Sequence, residues 1–385
     1  MKKLRVLLAG GGTGGHIYPL IAVAGELKTL AEPYGITLDM RYFGSARGYA
    51  EDIINSDIDF VPIISSKLRR YWTPLNLIDI PKFFLSLIQL LWKLFWFMPD
   101  VVFSKGGPGA LAIILVSRFY LIPVVIHESD TIPGLTNSIS GKLAKKIFLA
   151  FASTDEYFPK KDVEVIGNPV REFLFQQIAD LEPAGDKALA EAKKLLGFDS
   201  SQPLLLIIGG SQGAERLNNF VLESLEVFIK DFQILHQVGI TNYDNYKKEF
   251  EFLAKDWDEN LKKRYHFVPF FQDNMGIALT AADFAISRSG AGSIFELAAF
   301  GKPAILIPLP ESANDHQREN AYNYAHIGAA IVIEEANLLS HLIMDELNKL
   351  FKNPELLQKM SDAARSFYRP DAATIIAKYL LTFIS

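Results

Sequence analysis

Residues 10–19, GGGTGGHIYP, constrain this chain more than any other stretch. They follow a short apolar run at 4–9 that includes the β-branched Val6, and they precede a helix-like segment at 21–30. Strand, glycine turn and helix in succession gather backbone N–H groups at a helix N-terminus, where the peptide dipoles favour an anion. Five glycines in the six positions 10–15 let a diphosphate or a sugar approach the main chain with no Cβ in the way. No Gly-Lys-Ser/Thr follows, so the loop is not a P-loop. His16 closes it and is the one side chain there that takes a proton near neutral pH. Taken alone, such a turn fits nicotinamide, flavin or nucleotide-sugar binding, or a tight turn with no ligand.

The arrangement recurs. Strand-like runs at 38–43, 60–64, 100–104, 123–127, 147–149 and 163–166 alternate with helix-like segments, which predicts a parallel sheet covered on both faces. A second series opens with LLLIIGG at 204–210, and SQGAERLN then begins a helix. Further strands are expected at 232–236, 265–268, 284–287 and 304–307. With 385 residues, two domains are the expectation. The boundary falls near GNPVR at 167–171, where Asn-Pro breaks the preceding element. The expected division is 1–168, joined by a C-terminal helix at 370–385, and 169–369. The fold class is α/β, with two Rossmann-like domains facing across a cleft.

Composition narrows the classes. There is no cysteine, which excludes disulfides and thiolate-bound metal and fits a reducing compartment. A net charge of −5 gives no nucleic-acid footprint. The apolar run after the basic start is too short for a signal peptide, so a cytoplasmic protein is expected.

The segment 75–98 is the least ordinary. It is mostly apolar and carries Trp92, Phe95, Trp96 and Phe97. Asp79, Lys82, Ser86, Gln89 and Lys93 fall in one helical stripe, leaving a much wider apolar surface than the ~100° a surface helix buries. It reads as too short and too interrupted for a membrane span of ~20 apolar residues. A helix buried in the fold, an interfacial helix and a protein-contact patch all fit. Lys67, Arg69, Arg70, Lys82, Lys93 and Lys105, against Asp79 and Asp100, favour an interfacial helix on anionic lipid.

In the second half, SRSGAGSIFELAAFGKP at 287–303 again gives strand end, glycine turn and helix. Ser293 stands three residues before Glu296, the capping-box spacing. Two readings stay open: the pair caps the helix, or the open N-terminus holds a nucleotide diphosphate while Glu296 accepts from ribose hydroxyls. Gln317 and its neighbours at the next helix start suit a sugar. Two glycine-rich helix N-termini, one per domain, outline a glycosyltransferase, with the donor's nucleotide at one and acceptor phosphates at the other. The strings Asp57-Ile58-Asp59 and Asp256-Trp257-Asp258 follow no convincing strand and glycine turn, so they read as solvated surface rather than a metal site.

Six motifs, GGGTGGHIYP, HES (127–129) with GLTN (134–137), GNPVR, GGSQGA, SRSGAGSIFE and DHQRENA, stand in the order and roughly the spacing of the MurG family. The chain resembles these bacterial N-acetylglucosaminyltransferases, which convert lipid I to lipid II, over nearly its whole length. The resemblance implies a GT-B fold and a donor, UDP-N-acetylglucosamine, held mainly by the C-terminal domain. It implies an undecaprenyl-linked acceptor and a peripheral place on the cytoplasmic face of the inner membrane through 75–98, with Trp92 and Trp96. His16 would be the general base. Thr13, Gly14 and Gly15 would contact the donor, and Arg171 and Ser211 the UDP moiety. Ala291, Gly292, Ser293, Ile294, Phe295 and Glu296 would surround diphosphate, uracil and ribose, with Gln317 on the sugar and Gln272 at a backbone contact to uracil. No metal and no cofactor is implied. Two departures stand out. Asp130 replaces the family's Asn, and an Asp accepts from a hydroxyl but cannot donate as an amide does. The third glycine loop reads Gly106-Gly107-Pro108-Gly109-Ala110, without the family's Tyr and Ser, leaving Lys105 to meet acceptor phosphate by charge. Rival readings are a UDP-N-acetylglucosamine 2-epimerase, a transferase with a different lipid acceptor, and a non-catalytic scaffold.

Overall fold

In the computed structural model, the first half of the chain alternates β1 (Lys3–Gly10), α1 (Gly14–Ala31), β2 (Thr37–Gly44), α2 (Ala50–Asn55), β3 (Asp59–Pro62), α3 (Asn76–Phe97), β4 (Val101–Ser104), α4 (Ala110–Phe119), β5 (Val124–Glu128), α5 (Leu135–Ser140), β6 (Lys146–Leu149) and β7 (Val163–Val165). The second half continues α6 (Glu172–Gln176), α7 (Asp186–Leu195), β8 (Leu204–Ile208), α8 (Glu215–Phe228), β9 (Gln233–Gln237), α9 (Tyr243–Leu253), α10 (Glu259–Lys262), β10 (Tyr265–Val268), α11 (Met275–Ala281), β11 (Phe284–Ser287), α12 (Ala291–Ala299), β12 (Ala304–Leu306), α13 (His316–His326), β13 (Ala330–Val332), α14 (Ser340–Phe351), α15 (Pro354–Phe367) and α16 (Ala372–Leu381). The structure describes all residues except 1, 46–47, 67–75, 182–184, 211–212, 272 and 385, and the side chains of 76–78. The expected contacts Ser211 and Gln272, and the cations Lys67, Arg69 and Arg70, lie outside the described residues. Two compact units result: Met1–Arg171 with Arg369–Ser385, and Glu172–Tyr368.

The first unit holds a parallel sheet in the order β3-β2-β1-β4-β5-β6-β7. Side chains alternate across a strand, so β1 feeds two cores. Leu4, Val6 and Leu8 pack with Ile17, Leu20 and Val23 of α1 and with Ile376 and Leu380 of α16. Leu7 and Ala9, on the opposite face, pack with Leu90 and Leu94 of α3 and Ile113 of α4. Each fully buried aliphatic side chain contributes roughly 1.5–3 kcal/mol. The C-terminal helix α16 thus completes the N-terminal unit, with Thr374 donating to Glu26 of α1 at 2.8 Å.

The second unit repeats the design with the order β10-β9-β8-β11-β12-β13, again parallel. Leu205 and Ile207 of β8 pack with Leu217, Val221 and Phe228 of α8 and with Ile343 and Leu347 of α14. In both sheets the strand order reverses beside the first strand, between β1 and β4 and between β8 and β11. Ligands of open α/β sheets bind outside the carboxyl ends of the strands at such a reversal. The glycine loops after β1, β4, β8 and β11 all lie there.

Three expectations are corrected. Helix α1 begins at Gly14 rather than near 21, so the glycine loop supplies its first turn. Helix α3 spans 22 residues, and its portion Asp79–Phe97 is long and apolar enough by length and composition to cross a bilayer. The middle of its polar stripe, unlike that of an ordinary surface helix, turns toward the core, while Lys82 stays exposed. Ser86 is buried, and Gln89 Oε1 accepts from Ile64 N at 2.9 Å, beside Leu90, Leu94 and Phe97 in the core. Ile80, Phe84, Leu85, Ile88, Trp92, Phe95 and Trp96 face outward, with Trp92 and Trp96 67% and 69% exposed. The buried-helix reading of this segment therefore fails.

Candidate active site

In the first unit, the loop after β1 and the loop after β4 interlock main chain to main chain. A Cβ on Gly107 would stand 2.7 Å from both Gly11 N and Gly11 Cα, and one on Gly11 would stand 2.9 Å from Pro108 Cδ. Gly107 has φ of 87°, a left-handed conformation that only glycine adopts without strain. The GLTN motif braces this loop: Thr136 Oγ1 donates to Gly107 O at 3.3 Å, and Asn137 Nδ2 donates to Glu128 Oε2 at 3.0 Å. Below, Tyr42 of β2 donates its hydroxyl to Gly10 O at 3.0 Å. Burial raises the Tyr42 pKa far above the phenol range, which keeps it a donor.

Thr13 is the N-cap residue of α1, yet its side chain caps no amide. Its Oγ1 lies 2.7 Å from His16 Nδ1 instead. The tautomer that donates from Nδ1 to Thr13 leaves the lone pair on Nε2, which faces the Gly107 main chain; a Cβ at Gly107 would stand 3.2 Å from it. Around Gly15, a Cβ would meet nothing within 4 Å, so that stretch of main chain is open to an incoming group. His16, Thr13, Gly14, Gly15, Gly106 and Gly107 are therefore one cluster at the sheet's reversal point. Asp130 lies on the loop after β5, with its N–H donating to Glu128 Oε1 and its carbonyl accepting from Thr154. Arg171 lies with its guanidinium carbon 4.0 Å from the centroid of the Tyr18 ring on α1, a cation–π stack.

Lys105 does not stand where an acceptor phosphate would meet it. It is 2% exposed, with Nζ donating to His127 Nδ1 at 2.5 Å and to Asn168 Oδ1 at 3.1 Å. Burial lowers its pKa, against the opposing charges of Glu128 and Asp130. Burial likewise raises that of Glu128.

In the second unit, the N-cap of α12 is Gly290, a residue with no side chain to cap this end. Ser293 is the third helical residue and Glu296 the sixth, so the capping-box reading fails. Ser289 is turned away too, its Oγ donating to Gln317 O at 2.7 Å. Among the described residues, a Cβ on Gly290 or Gly292 would meet nothing within 4 Å, so the main chain at the start of α12 has room beside it. That is the geometry of an anion site. Gly292, Ser293 and Glu296 share the half-buried side of the helix. Ile294 and Phe295 do not: both are fully buried, Phe295 packs on Phe367 with ring centroids 5.0 Å apart, and Ile294 N is spent on Gly290 O. The side chain of Ala291 is buried as well. These three cannot present side chains to a ligand.

Gln317 joins this end. Its Oε1 accepts from Leu309 N at 3.1 Å, and Asn320 Nδ2 donates to Ser289 O at 3.3 Å. The preceding residues Asn314 and Asp315 are left-handed, with φ of 56° and 53°. That conformation costs roughly 1–2 kcal/mol for most residues and less for Asn and Asp. Arg288 pins the loop from behind, donating to Ile307 O and Pro308 O and pairing with the buried carboxylate of Glu335. Tyr42, Tyr18 and Arg288 were not singled out from the sequence. An aromatic two residues after His16 and an arginine inside SRSGAGSIFE were the only hints, and nothing marked Tyr42. Among the described residues, no group of three or more His, Asp or Glu side chains is placed to hold a metal ion.

The chain is similar to known proteins over nearly its whole length. Residues 6–149 match the glycosyltransferase family 28 N-terminal domain, and residues 204–375 match the glycosyltransferase family 28 C-terminal domain. The chain is 32% identical to the UDP-N-acetylglucosamine--N-acetylmuramyl-(pentapeptide) pyrophosphoryl-undecaprenol N-acetylglucosamine transferase of Treponema denticola, over 99% of this chain and 98% of that protein. Its fold is similar to the crystal structure of Acinetobacter baumannii MurG, with a TM-score of 0.68, 25% identity and coverage of 98% and 99% of the two chains. A UDP-GlcNAc 2-epimerase from Neisseria meningitidis, solved with UDP-GlcNAc bound, gives the same TM-score at 17% identity, covering 98% of this chain and 100% of that one. Backbone shape alone therefore does not separate transferase from epimerase; the sequence identity over the full length does. This chain belongs to the MurG family of glycosyltransferases, within glycosyltransferase family 28.

Proposed function

We propose that this protein transfers N-acetylglucosamine from UDP-N-acetylglucosamine to the 4-hydroxyl of the muramoyl sugar of lipid I, giving lipid II for peptidoglycan. The observation that carries the reading is the pairing, in one chain, of an uncapped α12 N-terminus with a His16 whose Nδ1 is held by Thr13. In this reading the C-terminal unit binds the donor and the N-terminal unit the acceptor. The α12 amides receive the diphosphate, Glu296 accepts from the ribose, and Gln317 contacts the sugar. The acceptor hydroxyl gives its proton to His16 Nε2 as its oxygen attacks C1. UDP departs from the opposite side, and the configuration at C1 inverts. Charge grows on the leaving diphosphate, and fixed amides with Arg171 stabilise it without reorganising.

The outward face of α3 supports a peripheral position on the cytoplasmic membrane surface. Apolar exposure on this scale marks an interaction surface. Phe119 and Leu121, also exposed, extend it at the end of α4, where Tyr120 donates to Leu91 O of α3 at 3.0 Å. A helix whose inner residues are built into the sheet's core is held to the domain, so this face lies on lipid rather than through it. An epimerase has no use for such a face. Incubation with radiolabelled UDP-N-acetylglucosamine and lipid I in vesicles tests the reading. Label is expected in lipid II, and a folded enzyme that leaves all label in the nucleotide sugar overturns it.

A further inference from the structure

The segment that leaves the N-terminal sheet is held by a buried cation with no part in the transfer described above. Lys105 follows β4, and its backbone N–H donates to Ala9 O at 2.9 Å, tying the ends of β4 and β1 together. Its Nζ reaches His127 of β5 at 2.5 Å and Asn168 at 3.1 Å. The other nitrogen of His127, Nε2, donates to Gly167 O at 2.9 Å. One ring nitrogen accepts and the other donates, so the imidazole is neutral and its tautomer is fixed. The charges of Glu128 and Asp130 attract the ammonium through space, and the buried Glu128 accepts from Asp130 N, Gly134 N and Asn137 Nδ2. A side chain just after β4 and one in the neighbouring β5 thus grip two successive residues, one by its side chain and one by its carbonyl. Gly167 turns there with φ of 80°, and Pro169 stiffens the next step. Arg171 follows, stacked 4.0 Å over Tyr18, two residues along α1 from His16.

We propose that Lys105 is a positioning residue: through His127 and Asn168 it fixes residues 167–171 on the N-terminal sheet and so holds Arg171 beside the His16 loop. An apolar side chain would fill the same space without the cost of burying an ammonium, so packing alone gives no reason for a lysine. The inference rests on the transferase reading only in giving Arg171 the diphosphate as its partner.

A double-mutant cycle tests it, using the wild type, Lys105→Met, Arg171→Ala and the double variant. For each, kcat for lipid II formation is measured together with thermal unfolding. Lys105→Met is expected to lower kcat about 10- to 100-fold, the scale of a misplaced active-site group, in a protein that still unfolds cooperatively but less stably, because Glu128, His127 and Asn168 lose a buried partner. The double variant is expected to be no slower than Arg171→Ala alone, because both changes remove the same contribution. Wild-type kcat in Lys105→Met, or losses that multiply in the double variant, overturns the proposal. If Lys105→Met does not fold, Asn168→Ala takes its place in the cycle, with the same expectations. A readout independent of turnover is the fluorine resonance of 3-fluorotyrosine placed at Tyr18. Lys105→Met is expected to move it toward its position in Arg171→Ala, and an unmoved resonance overturns the proposal whatever the activity. If the wild type makes no lipid II but Lys105→Met still moves the fluorine resonance, the result counts against the transferase reading and not against this one.

Discussion

At the scale of single residues, the site is built from side chains whose first duty is to one another. Thr13 gives up the usual work of an N-cap to orient His16. Replacing His16 by Ala is expected to lower kcat by ~10²–10⁴ while UDP binding, measured calorimetrically, is retained. Transfer at the wild-type rate in that variant would remove His16 from the chemistry. Much of this was legible: the glycines and the histidine stand together in ten residues. What could not be read was which polar groups are spent on the fold. Lys105 looked like a free cation beside a glycine loop, but the strand order puts it under β5 and the 167–171 segment. Ser293 and Glu296 matched a capping box by spacing, but the helix starts two residues before Ser293. Spacing fixes which residues are neighbours on a helix and does not fix where the helix begins.

At the scale of elements, α3 inverts the ordinary amphipathic rule. A sequence pattern shows that one stripe is polar and cannot show which stripe faces the core. Here Ser86 and Gln89 go inward, because the sheet edge offers Ile64 N as a partner and α4 fills the neighbouring space. The outward tryptophans contribute little to folding, since each is mostly exposed. Changing Trp92 and Trp96 together to Ser is therefore expected to leave the melting temperature within a degree or two. Binding to anionic vesicles should weaken at least tenfold, as expected for losing two interfacial aromatics. Unchanged vesicle sedimentation would contradict the assignment of this face. Helix α16 makes the opposite prediction. Ile376 is fully buried against α1 and β1, so Ile376→Ala is expected to cost about 2–5 kcal/mol in denaturant unfolding, with the apolar face of α3 unaffected. A cost under about 1 kcal/mol would mean that α16 is not part of the first core. Strand β13, AIV at 330–332, was missed in the sequence: three apolar residues after a glycine are too few to separate from a loop.

At the scale of the whole molecule, two sheets of like design each carry an uncapped helix N-terminus at the point where strand order reverses. Apolar runs and glycine turns made this duplication readable, because buried parallel strands must be apolar on both faces. Fold similarity extends equally to a transferase and an epimerase, so the fold cannot decide the chemistry. What separates them is whether a second nucleophile attacks C1 directly. A transferase that acts through His16 performs a single displacement, and the new bond must have the configuration opposite to that of the donor. The most direct measurement is the proton NMR coupling at C1 of the transferred sugar in the isolated lipid product. The account predicts a β-linked N-acetylglucosamine on the muramoyl 4-oxygen. An α-linked product, or conversion of the donor to its 2-epimer with no lipid product, would contradict it.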